Sequence, residues 1–183
     1  MKIKLFTITI AFLVCAIASA GQTPQEKEAT RNATRDKLRM LLAVSGPKKG
    51  IEIDFKQSEK NPWNFVAIKR SGMKNAQSME IVVGVTDDNT IGFRIYPYYN
   101  NSYVNVDKTR NASGLMRLLL NLSYQNFLYW GADATGDVFA GYTFTLESGF
   151  PDKAVEIVLY SIAPLDGYVG QLRPFIDGSA AVH

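Results

Sequence analysis

The spacing of hydrophobic residues changes repeatedly along this chain, and each change marks an element. Leu38, Leu41 and Leu42 crowd one side of a segment that opens with Thr23-Pro24-Gln25-Glu26, predicting a helix to about Val44. Thr23 can accept from an early backbone amide, Pro24 suits the first turn, and Glu26 completes a capping box. From Glu26 to Asp36 the segment is polar apart from Ala29 and Ala33, so only the second half is expected to pack on a core. Gly46-Pro47 ends it.

Period-two alternation follows, in runs bounded by turn residues. Ile51, Ile53 and Phe55 share a face; after Asn61-Pro62 the next strand places either Phe65 with Ala67 or Val66 with Ile68 inward. Beyond the polar loop Ser71 to Ser78, Ile81, Val83 and Val85 point one way. Asp87-Asp88-Asn89 makes a turn, and Ile91, Phe93 and Ile95 continue as the partner strand until Pro97. This is an antiparallel meander.

From Asp107 the period changes again. Leu115, Leu118, Leu119 and Leu122 follow i, i+3, i+4, i+7, so a helix lies within Asp107 to Gln125, with Gly114 blurring its first turns. A second hairpin runs from Phe127 to Leu146 around the turn Asp133 to Asp137, with Val138, Ala140, Tyr142, Phe144 and Leu146 on one face. After Phe150-Pro151-Asp152, the residues Val155, Val158, Leu159, Ile162, Leu165, Val169, Leu172 and Ile176 form a nearly unbroken helical stripe, which Pro164 is expected to kink or split. The tail from Asp177 is expected to be loose. The expected fold is α+β, a single antiparallel sheet flanked by helices in the order α-β-β-β-β-α-β-β-α.

The opening segment has a different pattern. Lys2 and Lys4 precede an apolar stretch, Leu5 to Ala18, and Ala18-Ser19-Ala20 offers the small residues a signal peptidase accepts. Residues 1-20 read as a cleavable signal peptide of bacterial character, cut after Ala20. The expected location is periplasmic or secreted, with no stable membrane span after cleavage, because a spanning helix needs roughly 20 apolar residues. Residues 21-50 then hold the N-terminal helix and linker, 51-176 the α+β domain and 177-183 a flexible tail. Cleavage removes Cys15, so disulfides, thiolate ligands and cysteine nucleophiles leave together. It also removes Lys2 and Lys4, bringing the formal charge from +3 to +1. No basic stripe remains that is dense enough for a nucleic-acid partner.

Candidate chemistry is sparse. The sole histidine is His183, the last residue, a poor position from which to hold a general base in reach of a substrate. Asp133-Ala134-Thr135-Gly136-Asp137 has too few oxygens for calcium and reads as a turn, with Gly136 at positive φ and Asp133 capping amides. No phosphate loop, dinucleotide fingerprint or nucleophile elbow occurs. The expectation is no catalytic residue, no metal and no cofactor. The suggestive feature is aromatic: Tyr96, Tyr98, Tyr99 and Tyr103, a candidate binding surface whose alternative reading is rings covering the core edge.

The strand pair Met79 to Tyr96, the helix ending Leu119-Leu120-Asn121-Leu122-Ser123-Tyr124, the hairpin Phe127 to Leu146 and the closing helix together resemble the YbjN family, whose fold is similar to that of type III secretion chaperones. The resemblance covers about Ile51 to Ile176. It implies a chaperone-like or regulatory role through protein contacts, without an active site to carry over. The expected function is a non-enzymatic exported protein-binding domain with a protein or peptide partner. Two other readings stand beside it. One is a self-associating structural module of the cell envelope, a homodimer formed through the stripe Val155 to Ile176. The other is an envelope enzyme built on Asp54, Asp87, Asp133 and Asp137.

Overall fold

The computed structural model describes residues 22–126, 128–146 and 149–178. The signal-peptide reading of residues 1-20 and the tail beyond Gly178 lie outside the described residues.

The fold is α+β, three helices and one antiparallel sheet of seven strands. Helix α1 spans Pro24–Ser45 and opens with the expected capping box: the Glu26 amide donates to Thr23 Oγ1 at 3.2 Å and the Thr23 amide donates to Glu26 at 2.7 Å. Its buried side chains are Thr34, Leu38, Leu42 and Ser45. The polar first half is held differently, by Arg31, whose guanidinium lies 3.9 Å from the Trp63 ring centroid and donates to the Val85 carbonyl.

Strands β1 (Lys56–Gln57), β2 (Asn64–Lys69), β3 (Ser78–Val85) and β4 (Ile91–Tyr99) form the meander, and β5 (Ser102–Tyr103) folds back on β4. The first strand sits later than Ile51 to Phe55. Gly50 and Glu52 have φ of 88° and 54°, which break extended backbone, and the Ile53 amide bonds to the Gly46 carbonyl instead of a strand. Ile51 and Ile53 are nonetheless buried in the core.

Helix α2 (Ala112–Gln125) starts on the side chain of Asn111, which accepts from the Gly114 amide at 2.9 Å. Gly114 lets a neighbour approach: a Cβ there would stand 2.6 Å from the Phe175 ring. Strands β6 (Tyr129–Ala132) and β7 (Val138–Phe144) follow, and β7 inserts beside β4, so the sheet order is β1-β2-β3-β4-β7-β6 with β5 against β4. The exposed edge of β6 is partly closed by α2, because Ser123 Oγ accepts from the Trp130 amide at 2.8 Å.

Helix α3 (Asp152–Asp177) runs as one element through Pro164. Pro164 faces solvent, so the bond it removes is lost on the wet side, while Val155, Val158, Leu159, Ile162, Leu165, Val169 and Leu172 hold both halves on one core. Each of these seven side chains is at most 2% exposed, while Ile176, the last of the stripe, is half-buried against the core. Asp177 is also less free than a loose tail would be: it ends α3 and accepts from Tyr99 at 2.8 Å and Asn100 at 3.2 Å.

All three helices pack on one face of the sheet, against Met79, Ile81, Val83, Val85, Ile91, Phe93 and Ile95. The loop between β2 and β3 is fastened to α3 by one carboxylate. Asp166, 5% exposed, accepts from the amides of Lys74 at 2.7 Å, Asn75 at 3.0 Å and Ala76 at 2.8 Å.

Candidate functional site

Strand alternation sends every second side chain away from the helices, and on that face no described element lies over the sheet's centre. Cross-strand neighbours there fall into transverse rows. Asn64, Gly84, Gly92 and Thr143 form the first, and Val66, Val82, Arg94, Gly141 and Tyr129 the second. Ile68, Glu80 and Tyr96 form the third, and Ser78, Tyr98 and Tyr103 the fourth.

The tyrosines meet because of a tight turn. Asn100 and Asn101 have φ of 52° and 61°, the pair of left-handed residues a two-residue hairpin needs, and the chain returns to set Tyr103 opposite Tyr98. Their rings stand edge to face with centroids 5.5 Å apart. Tyr96 packs 6.0 Å from Tyr103 and 5.6 Å from Phe139, and Phe139 packs 6.0 Å from Tyr129. The five rings make one continuous ladder across β5, β4, β7 and β6, with the Arg94 guanidinium 5.1 Å from the Phe139 centroid.

Three of the four expected residues, Tyr96, Tyr98 and Tyr103, therefore share this face. Tyr99 does not. Strand alternation turns it to the helix side, where it packs against the core, donates to Asp177 and accepts from Arg173 Nε at 3.1 Å. Tyr129, Arg94 and Glu80 complete the surface without having been singled out, and Phe139, 7% exposed, is the buried link between Tyr96 and Tyr129. The signal was available for Phe139: once Val138 and Ala140 face the core, the residue between them faces away.

Two recesses open on the face. One, of about 310 Å³, is bounded by Ile68, Glu80, Tyr98 and Tyr103. The other, of about 470 Å³, lies over Gly84 and Gly92 and is bounded by Asn64, Val82, Arg94, Tyr129 and Thr143. In the first, the Tyr103 hydroxyl donates to Glu80. Burial pushes the Tyr103 phenol well above its ordinary value, and the bond to Glu80 with that carboxylate's charge push the same way. Tyr96 is raised too, first by burial, with Arg94 opposing.

Above about pH 10 the unfolded chain loses the Tyr103 proton while the native state keeps it, so this residue's contribution to stability is full below that pH. It is lost as the pH rises through the native value. In an ultraviolet titration, the phenolate signal missing from Tyr103→Phe is expected above the range of the exposed tyrosines. A signal at the ordinary value would show that Tyr103 is not buried against Glu80.

Of the four carboxylates of the enzymatic reading, Asp87, Asp133 and Asp137 bond to neighbouring side chains or amides, and Asp54 is exposed. Asp133 accepts from Thr135 Oγ1 at 2.7 Å and from the amides of Thr135 at 2.9 Å and Asp137 at 3.1 Å, in a turn with Gly136 at φ 81°. The Thr135 hydroxyl bond, first among these contacts, holds the Asp133 carboxyl below the usual range. Asp87 pairs with Arg31. Among the described residues no group of three His, Cys, Asp or Glu side chains is placed to hold a metal ion, and no helix is long and apolar enough to cross a membrane.

The chain matches no model of a known protein family, and no curated protein matches it.

Proposed function

We propose that this chain is an exported, non-enzymatic protein-binding domain of chaperone-like or regulatory character, working in the periplasm or outside the cell and holding an extended polypeptide against the uncovered sheet face. The observation that carries the reading is the ladder of Tyr98, Tyr103, Tyr96, Phe139 and Tyr129 across that face. Tyrosine rings give broad apolar contact at small entropic cost, and their hydroxyls bond to a partner's backbone. The leader of residues 1-20 and the resemblance of residues 51-176 to the YbjN family support the same reading.

The test uses the chain from Gly21 onward and a permanently unfolded polypeptide, reduced and carboxymethylated lactalbumin carrying a fluorescent label. Fluorescence anisotropy is expected to report saturable binding. Replacing Tyr98 and Tyr103 together by alanine removes the two rings at the β5 end of the ladder, a loss of about 1.4 kcal/mol or more, and weakens binding at least tenfold. Tyr99→Phe, on the helix side, leaves affinity unchanged. Equal affinity for the wild type and the double variant would refute the assignment of this face.

A further inference from the structure

The 470 Å³ recess holds a position that the fold itself does not explain. Every other glycine on the uncovered face is capped by its own chain. The Phe139 ring comes within 3.3 Å of where a Cβ on Gly131 would stand, the Tyr129 ring within 2.3 Å for Gly141, and Asn64 Oδ1 within 2.3 Å for Gly84. Over Gly92 there is nothing within 4 Å. Its φ is not among the positive values, and it sits in β4, paired on both sides by Gly84 and Thr143. Neither backbone nor internal packing calls for glycine here, although glycine within a strand weakens it. A strand glycine of this kind marks the close approach of another group.

We infer that Gly92 is the floor of a subsite for an aromatic side chain carried by the polypeptide partner. The inference rests on the function proposed above and specifies what that partner must present. The occupant follows from the sheet's own practice: two of its glycines are covered by aromatic rings from the cross-strand neighbour, Phe139 on Gly131 and Tyr129 on Gly141. Gly92 has glycine and threonine as neighbours, so a third ring has to come from outside. It would lie on the Gly92 backbone with Tyr129, itself 42% exposed, at one end for ring contact. Asn64, whose amide lies over Gly84, and Thr143 flank Gly92 and present an amide and a hydroxyl to the partner's backbone.

The experiment places a side chain where the ring would sit. Nothing in the chain obstructs a Cβ at this position, so Gly92→Val is expected to fold with a denaturation midpoint at or above that of the wild type. It is expected to bind labelled, unfolded lactalbumin at least tenfold more weakly, and Gly92→Ala about threefold. A twelve-residue Gly/Ser peptide with one central tryptophan, added to the ¹⁵N-labelled protein, shifts the Gly92 and Gly84 amides; its leucine counterpart shifts them less.

Unchanged lactalbumin affinity in Gly92→Val, with the Tyr98/Tyr103 variant still impaired, overturns the subsite and leaves the proposed function standing. No binding of either probe to the wild type overturns both. Shifts at Gly92 from a neutral oligosaccharide such as chitotriose, with none from the tryptophan peptide, make the recess a sugar site and overturn the aromatic assignment.

Discussion

Replacing Asp166 by alanine is expected to remove about 3–4 kcal/mol of stability. The carboxylate accepts from three successive amides, those of Lys74, Asn75 and Ala76, and from the Asn75 side chain at 3.2 Å. Hydrogen bonds to a charged group contribute roughly 1.5–3 kcal/mol each, and a buried donor left without a partner loses about 1–3 kcal/mol. The Ala76 amide lies in the buried part of the loop and has no water to turn to. Against a total of roughly 5–15 kcal/mol for a domain, the loss is a large fraction. Asp166→Asn keeps one acceptor oxygen and is expected to lose about half as much. Urea denaturation followed by circular dichroism measures both; a loss below about 1 kcal/mol for Asp166→Ala would mean the loop does not depend on this clamp.

The second large effect is Phe93→Ala, at about 3–5 kcal/mol. Phe93 is fully buried on β4 between Val83 and Tyr142 and meets Phe144 edge to face at 6.0 Å. Truncation leaves a cavity that the sheet cannot close, because strands on both sides hold the backbone in place. Phe93 sits between Gly92 and Arg94, positions that face the opposite way, so the same strand carries core and candidate site on alternate residues. Denaturation should show the loss in stability. Affinity for unfolded lactalbumin, measured under conditions where the variant remains folded, should stay within about threefold of the wild type. A larger drop would mean that the uncovered face depends on exact core packing.

Local rules explain the elements that were legible. The capping box at Thr23 and Glu26, the leucine spacing of α2 and the turn at Asp133 each depend on residues within a few positions of one another. Alternation in Ile81 to Val85 and Ile91 to Ile95 was equally plain, because one face of each strand is wholly buried. The first strand was misplaced for a reason that alternation does not register: Gly50 and Glu52 bend the chain, so Ile51 and Ile53 bury themselves without a ladder.

The candidate site was only partly legible. Tyrosines at 96 and 98 necessarily share a face, and Tyr99 necessarily opposes them, so alternation alone would have removed Tyr99. Placing Tyr103 with them needed the Asn100-Asn101 turn, whose positive φ values asparagine tolerates better than most residues. Phe139 and Tyr129 reach the ladder because β7 pairs with β4, a choice made among strands far apart in sequence. Asp166 gave even less warning: an acidic residue inside an apolar helical stripe finds the amides of a loop some ninety positions away.

By itself, then, the sequence determined the α+β class, the order of elements and which side of each strand is apolar, because these follow from spacing and capping within one or two turns of chain. Only the tertiary structure decided that the helices share one face, that β7 lies beside β4, and that Gly92 alone among that face's glycines has open space above it. These depend on which distant segments meet, and that is settled by how the whole apolar surface is buried at once.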